Sequence, residues 1–129
     1  MSFAFYNKTN TVFIAGGTGI TPFLSLFTHD SFKEYTNPHI YLGFRSKDYN
    51  IYEPELNSVR LRAIREGFVT IRLFYQDTDG IIDIDKIFDD NGPDSNYFIS
   101  GPPAMIKIFK QALISKGVPT QNILTDDWE

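Results

Sequence analysis

The residues of greatest chemical consequence are Gly16, Gly17 and Gly19. The stretch that holds them, Thr11 to Phe27 (TVFIAGGTGITPFLSLF), reads as a buried strand, a glycine turn and the start of a helix in direct succession. Glycine tolerates positive φ and carries no Cβ, so the phosphates of a ligand can come close to the main chain there. Pro22 stands where the first helical turn should begin, a position at which its missing N–H is harmless. The N–H groups of that turn, together with the positive end of the helix dipole, favour an anion by about 0.3–1 kcal/mol. The chemistry to expect is the seating of a pyrophosphate. Two alternatives bear on that reading. Many α/β domains place glycines between strand and helix only to turn the chain, and the stretch departs from G-x-G-x-x-G because Pro22 stands in place of a third glycine. No G-x-x-x-x-G-K-[ST] occurs, which disfavours a P-loop nucleotidase.

A second cluster near the C-terminus repeats the pattern. Tyr97, Phe98 and Ile99 form a short strand that runs into Ser100, Gly101, Pro102 and Pro103. The spacing predicts a helix from Ala104 to Lys116, with Met105, Ile108, Phe109, Ala112 and Leu113 on its core face and Lys110 and Lys116 toward the end, where cations suit the dipole. Gly117 and Pro119 stop it. Two glycine-terminated strands, each leading into a helix with proline near its start, predict two loops on one carboxyl edge of a sheet, where ligands bind.

The elements that must position these loops alternate in type. Val12 to Ala15 is an unbroken apolar run, as expected of a parallel strand covered on both faces. Phe23, Leu24, Leu26 and Phe27 give the first helix its inner face. A second strand spans His39 to Phe44. A second helix starts near Glu53 and Pro54 and runs through Leu56, Val59, Leu61 and Ile64 to Gly67. Strand three is Phe68 to Tyr75, a short helix covers Ile84 to Phe88, and a last strand lies at Asn122 to Thr125. Strand and helix alternate without repeats or low-complexity segments, which predicts a single α/β layer architecture.

GGTGITP at residues 16–22 followed by SGPPAM at residues 100–105 resembles the nicotinamide-nucleotide domain of the ferredoxin–NADP reductase family, which includes cytochrome b5 reductase and the reductase components of oxygenases. The resemblance runs from Phe3 to Trp128. It implies a three-layer α/β fold with a five-stranded parallel sheet, order 3-2-1-4-5, and helices on both faces. It also implies NAD(P)H along the carboxyl edge and a flavin, FAD or FMN, held by a separate β-barrel that precedes the domain. By motif match, Gly16, Gly17, Thr18 and Gly19 hold the pyrophosphate, and Thr21 and Pro22 close toward the nicotinamide. Ser100, Gly101, Pro102, Pro103 and Met105 match a Cys-Gly-Pro-Pro-x-Met signature on the other side. Ser100 departs from it: the serine keeps the size of the usual cysteine and adds a stronger hydrogen-bonding hydroxyl. The resemblance makes Ser100 and Thr21 the residues expected beside the reacting rings. It also assigns residues 1–10 to the remnant of a junction with the missing barrel and residues 11–129 to the nucleotide domain. Some relatives set an aromatic residue near the C-terminus against the flavin, which makes Trp128 a candidate for the flavin-facing surface.

The ends of strands two and three should meet the adenosine half of the cofactor. Arg45, Ser46 and Lys47 follow strand two and can take a 2′-phosphate, Arg offering a planar fork. Tyr75, Gln76 and Asp77 follow strand three. A carboxylate at Asp77 accepts ribose hydroxyls and repels a phosphate dianion, so the balance favours NADH. The bland readings are a solvated loop for Arg45 and Lys47 and a turn for Asp77 to Gly80.

Composition excludes several other classes. The chain has 129 residues, 42% hydrophobic and 22% charged, with a formal net charge of −4. That is enough for one domain with a sizeable core and leaves no room for a flavin barrel. The mild acidity and the lack of a dense Lys/Arg run argue against a nucleic-acid surface. No apolar run approaches the roughly eighteen residues of a membrane span, and no signal peptide is recognisable, so a cytoplasmic location is expected. The absence of cysteine excludes disulfides, a thiol nucleophile and thiolate-held zinc or iron–sulfur centres within these residues. His29 and His39 lack carboxylates at metal-ligand spacing and read as surface or edge residues. The many aspartates, Asp83 and Asp126 among them, read as loop caps and solvated faces rather than a catalytic pair or a metal site.

Three functions follow as expectations. The first is the NAD(P)H-binding half of a flavin-dependent oxidoreductase, passing hydride to a flavin on another domain or subunit and thence to a downstream electron acceptor. The second is a stand-alone nucleotide-binding or regulatory module without catalysis. The third is a structural subunit that keeps the fold alone.

Overall fold

The computed structural model describes residues 10–17, 38–46, 48, 50, 53–54, 56–58 and 70–127. Five strands, β1 (Thr11–Gly16), β2 (His39–Phe44), β3 (Thr70–Tyr75), β4 (Asn96–Gly101) and β5 (Ile123–Asp127), form one sheet in the order β3-β2-β1-β4-β5. Every pairing is parallel. The expected strand order is thus the observed one.

The apolar runs form strands because both faces of each are covered. All six residues of β1 and all six of β4 are buried. On one face Val12, Ile14, Tyr41, Tyr97, Ile99 and Ile123 pack against two helices, α2 (Ile84–Asn91) and α3 (Pro103–Ser115). On the other face Phe13, Ile40, Leu42 and Phe98 are equally buried, and the Phe13 and Phe98 rings stack at 5.2 Å. Burying one such side chain stabilises the fold by about 1.5–3 kcal/mol. Leu56, among the helical residues 53, 54 and 56–58, is also buried.

The helix termini follow local chemistry. Asp83 caps α2, its Oδ1 accepting the amides of Asp85 at 3.0 Å and Lys86 at 3.4 Å. Gly92 at φ 81° ends that helix, donating its N–H to the carbonyl of Phe88 at 2.7 Å. Pro103 opens α3 at its first helical position, and Gly117 at φ 101° follows its last turn. The Lys116 ammonium reaches Asp85 at 3.2 Å and lies over the Phe88 ring at 5.5 Å, which pins the end of α3 to α2.

Several expectations shift. The core face of α3 is Ile106, Phe109 and Leu113, whereas Ile108 is 61% exposed. Both stripes are helical and share two members, so periodicity alone does not separate them; the surface of the sheet beneath does. Residues Gln76–Asp79, overlapping the Asp77–Gly80 stretch for which a turn is the alternative reading, close into a short helix, α1, because the Asp79 carboxylate accepts the Tyr75 N–H at 2.9 Å and so holds the first turn. The helix beginning at Ile84 continues past Phe88 to Asn91, and the last strand starts at Ile123, after a 3-10 turn at Thr120–Asn122. The expectations for Phe3, Thr18, Gly19, Thr21, Pro22, the helix that follows it, His29, Lys47, Val59 to Gly67 and Trp128 lie outside the described residues.

Candidate functional site

In a sheet of this order the chain leaves β1 toward β2 on one side, while β4 pairs with β1 on the other. The carboxyl ends of β1 and β4 therefore flank the point where the topology reverses, which is where open parallel sheets leave a crevice for ligands. Both strands end in glycine at that point. Ala15 registers with Ser100, so Gly16 and Gly101 lie side by side. A Cβ on Gly101 would stand 3.2 Å from the carbonyl oxygen of Gly16 and 3.4 Å from its nitrogen. The two crooks read from the sequence thus converge on one edge.

The glycines differ in what they provide. Gly17 sits at φ 56°, the left-handed region, and among the described residues nothing stands within 4 Å of where its Cβ would be. It supplies the conformation and the open space that a phosphate approaching the main chain requires. Gly16 and Gly101 instead leave room for Met105, whose Sδ lies 2.8 Å from the Cβ position of Gly16 and whose Cε lies 2.7 Å from that of Gly101. Met105 is half-buried against the core from the first turn of α3. The N-cap of α3 is Pro102, at φ −60° and ψ 144°, and no side chain caps the turn. The amides of Ala104 and Met105 at that turn carry the positive end of the helix dipole.

Ser100 is fully buried, and its hydroxyl has no hydrogen-bond partner among the described residues. It lies on the Phe98 face of β4, in register with Ala15 on one side and the half-buried Asp126 on the other. An unpartnered buried hydroxyl costs about 1–3 kcal/mol, so its place at the carboxyl end of a central strand is a feature to account for.

The ends of β2 and β3 form the other half of the same edge. Arg45 is exposed, Ser46 is half-buried and Asp77 is exposed. The Asp77 amide donates to the Arg45 carbonyl at 3.2 Å, which brings the two expected adenosine-side residues together. Sequence reasoning did not single out Asn50. This residue is buried, donates through Nδ2 to the Tyr75 hydroxyl at 3.0 Å and, among the described residues, leaves its Oδ1 without a partner. The Tyr75 ring stacks on Phe44 at 5.6 Å, so Asn50, Tyr75 and Phe44 brace the end of β3 against β2. The one signal for Asn50 was a polar residue between Tyr49 and Ile51 after a strand, which many loops share.

At the opposite edge, His39 begins β2. Burial and the nearby Arg72 guanidinium lower its pKa from 6.5, and the Asp90 carboxylate offsets part of that. Burial pushes the Tyr97 phenol above its ordinary value, and its hydroxyl donates to the Gly92 carbonyl at 2.7 Å. These groups tie the amino ends of the strands to the end of α2. Among the described residues no helix is long and apolar enough to cross a membrane.

The family model of the oxidoreductase NAD-binding domain matches residues 13–111. The bovine (Bos taurus) oxidoreductase NAD-binding domain-containing protein 1 is 30% identical over 92% of this chain, which covers 46% of that protein. Flavohemoglobin from Malassezia yamatoensis, determined with bound FAD and heme, superposes with a TM-score of 0.76 at 18% identity, over 95% of this chain and 33% of that one. The cytochrome b5 reductase domain of Ulva prolifera nitrate reductase superposes at 0.71 with 19% identity, over 92% of this chain and 48% of that one. The structural likenesses speak for the fold, and the chain spans less than half the length of each of these three. With the switch-point crevice and the matched residues in agreement, the chain belongs to the oxidoreductase NAD-binding domain family.

Proposed function

We propose that this chain is the NAD(P)H-binding half of a flavin-dependent oxidoreductase, with NADH as the preferred nucleotide and the flavin, FAD or FMN, held by another domain or subunit. The observation that carries this reading is the side-by-side ending of β1 and β4 in glycines at the topological switch point. When bound, the nicotinamide supplies a hydride, which the flavin accepts. The chain's own part is orientation. Gly16 and Gly17, with Thr18 and Gly19, seat the pyrophosphate through main-chain amides. Thr21 and Pro22 close over the nicotinamide from one side, and Ser100, Gly101, Pro102, Pro103 and Met105 form the other wall. The unpartnered Ser100 hydroxyl is a donor in wait for a polar group at this end of the crevice. Arg45, Ser46 and Asp77 receive the adenosine end, and the Asp77 carboxylate prefers ribose hydroxyls to a 2′-phosphate. Holding two rings in contact is an entropic form of catalysis and needs no general base.

The solved flavohemoglobin contains FAD, and the chain covers only a third of it, which supports a flavin site outside these residues. The formal net charge of −4 speaks for partners other than nucleic acid, and a cytoplasmic setting belongs to the same reading.

Calorimetric titration with NADH and NADPH tests the reading. NADH is expected to bind, more tightly than NADPH, and free FAD or FMN is not. Replacement Gly17→Ala adds a methyl that meets none of the described residues but forces an alanine into the left-handed region. It should weaken NADH binding while lowering stability by no more than about 1–2 kcal/mol. No NADH binding at millimolar concentration, or unchanged affinity in Gly17→Ala, would overturn the assignment.

A further inference from the structure

In the first turn of a helix a long side chain points back toward the N-terminus, over the residue four positions earlier. For Met105 that residue is Gly101, and the methionine does not stop there. Its terminal methyl occupies the space a Cβ on Gly101 would need, at 2.7 Å, and its sulfur occupies the space a Cβ on Gly16 would need, at 2.8 Å. One flexible side chain from α3 therefore fills two adjacent notches, one in each glycine crook. The backbones themselves are in close approach, since the Cβ position of Gly101 is 3.2 Å from the Gly16 carbonyl oxygen. A thioether suits this position because it is unbranched at its end and conforms to an irregular gap.

Resting on the function proposed above, we propose that Met105 is a positioning residue. From the notches of Gly16 and Gly101 it sets the separation of the pyrophosphate turn at Gly16–Gly17 from the second turn at Gly101–Pro103. Both turns must hold one ligand at once, so their spacing is the quantity that affinity depends on. The two glycines are bare here for Met105, which makes Gly16, Gly101 and Met105 one coupled unit. The coupling is testable because Gly16 has no positive φ to strain: the obstacle to alanine there is the methionine sulfur.

The test is NADH titration of wild type, Met105→Leu, Met105→Ala, Gly16→Ala and the double variant Gly16→Ala/Met105→Ala, with thermal unfolding measured alongside. Met105→Ala is expected to weaken NADH binding about tenfold in a chain that still unfolds cooperatively, and Met105→Leu to restore most of the affinity. The double variant should bind more tightly than the product of the two single losses predicts, because the new methyl at Gly16 enters the space the methionine vacated. If Met105→Ala does not fold, Met105→Leu and Gly16→Ala carry the test. A loss in Gly16→Ala that Met105→Leu relieves in combination supports the coupling, and simple multiplication of losses overturns it. Unchanged affinity in a folded Met105→Ala overturns it too. Absence of NADH binding by wild type is a different result, and it removes the function itself.

Discussion

The Asp77 amide donates to the Arg45 carbonyl at 3.2 Å, so the loop after β2 and the helix after β3 are one surface. Under the proposed function this surface receives the adenosine end, where a 2′-phosphate distinguishes the two nicotinamide nucleotides. The backbone link holds Asp77 there whatever its side chain does. Replacement Asp77→Asn keeps the link and removes the negative charge, so NADPH affinity should rise about tenfold, or ~1.4 kcal/mol, with NADH affinity nearly constant. Competitive titration of the two nucleotides reads this ratio, and an unchanged ratio would remove Asp77 from the specificity assignment.

Gly101 and Gly16 should respond differently to alanine. At Gly101 the added methyl meets the Gly16 main chain as well as the methionine end, and main chain does not rotate away. Overpacking of this kind costs about 1–3 kcal/mol. Chemical denaturation of the two single variants should show the larger loss for Gly101→Ala. Equal losses would mean that the edge is looser than its distances imply.

The core offers a contrast between two residues that look alike in sequence. Phe98 is 1% exposed and stacked on Phe13, so Phe98→Ala should cost about 3–5 kcal/mol, a large part of the total stability of a domain. Ile108 is 61% exposed, so Ile108→Ala should lie within about 0.5 kcal/mol of wild type. Urea unfolding of Ile108→Ala checks the face assignment of α3, and that of Phe98→Ala the burial of β4.

Acid should weaken the amino edge of the sheet through His39. Its folded pKa lies below the ordinary 6.5, so the unfolded chain takes up the proton first as pH falls. The histidine's contribution is therefore fully present above pH 6.5 and is lost as pH drops from there toward the folded value. Unfolding temperature followed from pH 7.5 to 5 should fall in wild type more than in His39→Gln. Parallel curves would assign the acid sensitivity to other groups.

The legible parts of this protein were those written in local order. An apolar run, a glycine and a proline in succession permit few backbone paths, and β1, β4, their glycine ends and the start of α3 all follow from residues within a few positions of one another. The strand order and the NAD-binding reading came from the pairing of GGTGITP with SGPPAM, a relation of motif rather than of energy. Less legible were features that depend on what lies across the sheet. The α3 stripe could have run through Ile106 or Ile108, because each satisfies helical spacing with Phe109 and Leu113. Asn50 carried no pattern at all, since its partner Tyr75 is distant in the chain.

Sequence by itself determined that two glycine crooks exist, that the later one joins a strand to a helix, and that the strands ending in them are apolar enough to be covered on both sides, since these are matters of backbone freedom and burial of adjacent residues. Tertiary structure alone decided why two of the glycines are bare, placing Met105 in the notches of Gly16 and Gly101, leaving Ser100 buried with an unanswered hydroxyl and joining Asp77 to Arg45. Those relations arise where strands distant in sequence come within a few ångströms of one another, and close packing across that gap has no signature in the order of the residues.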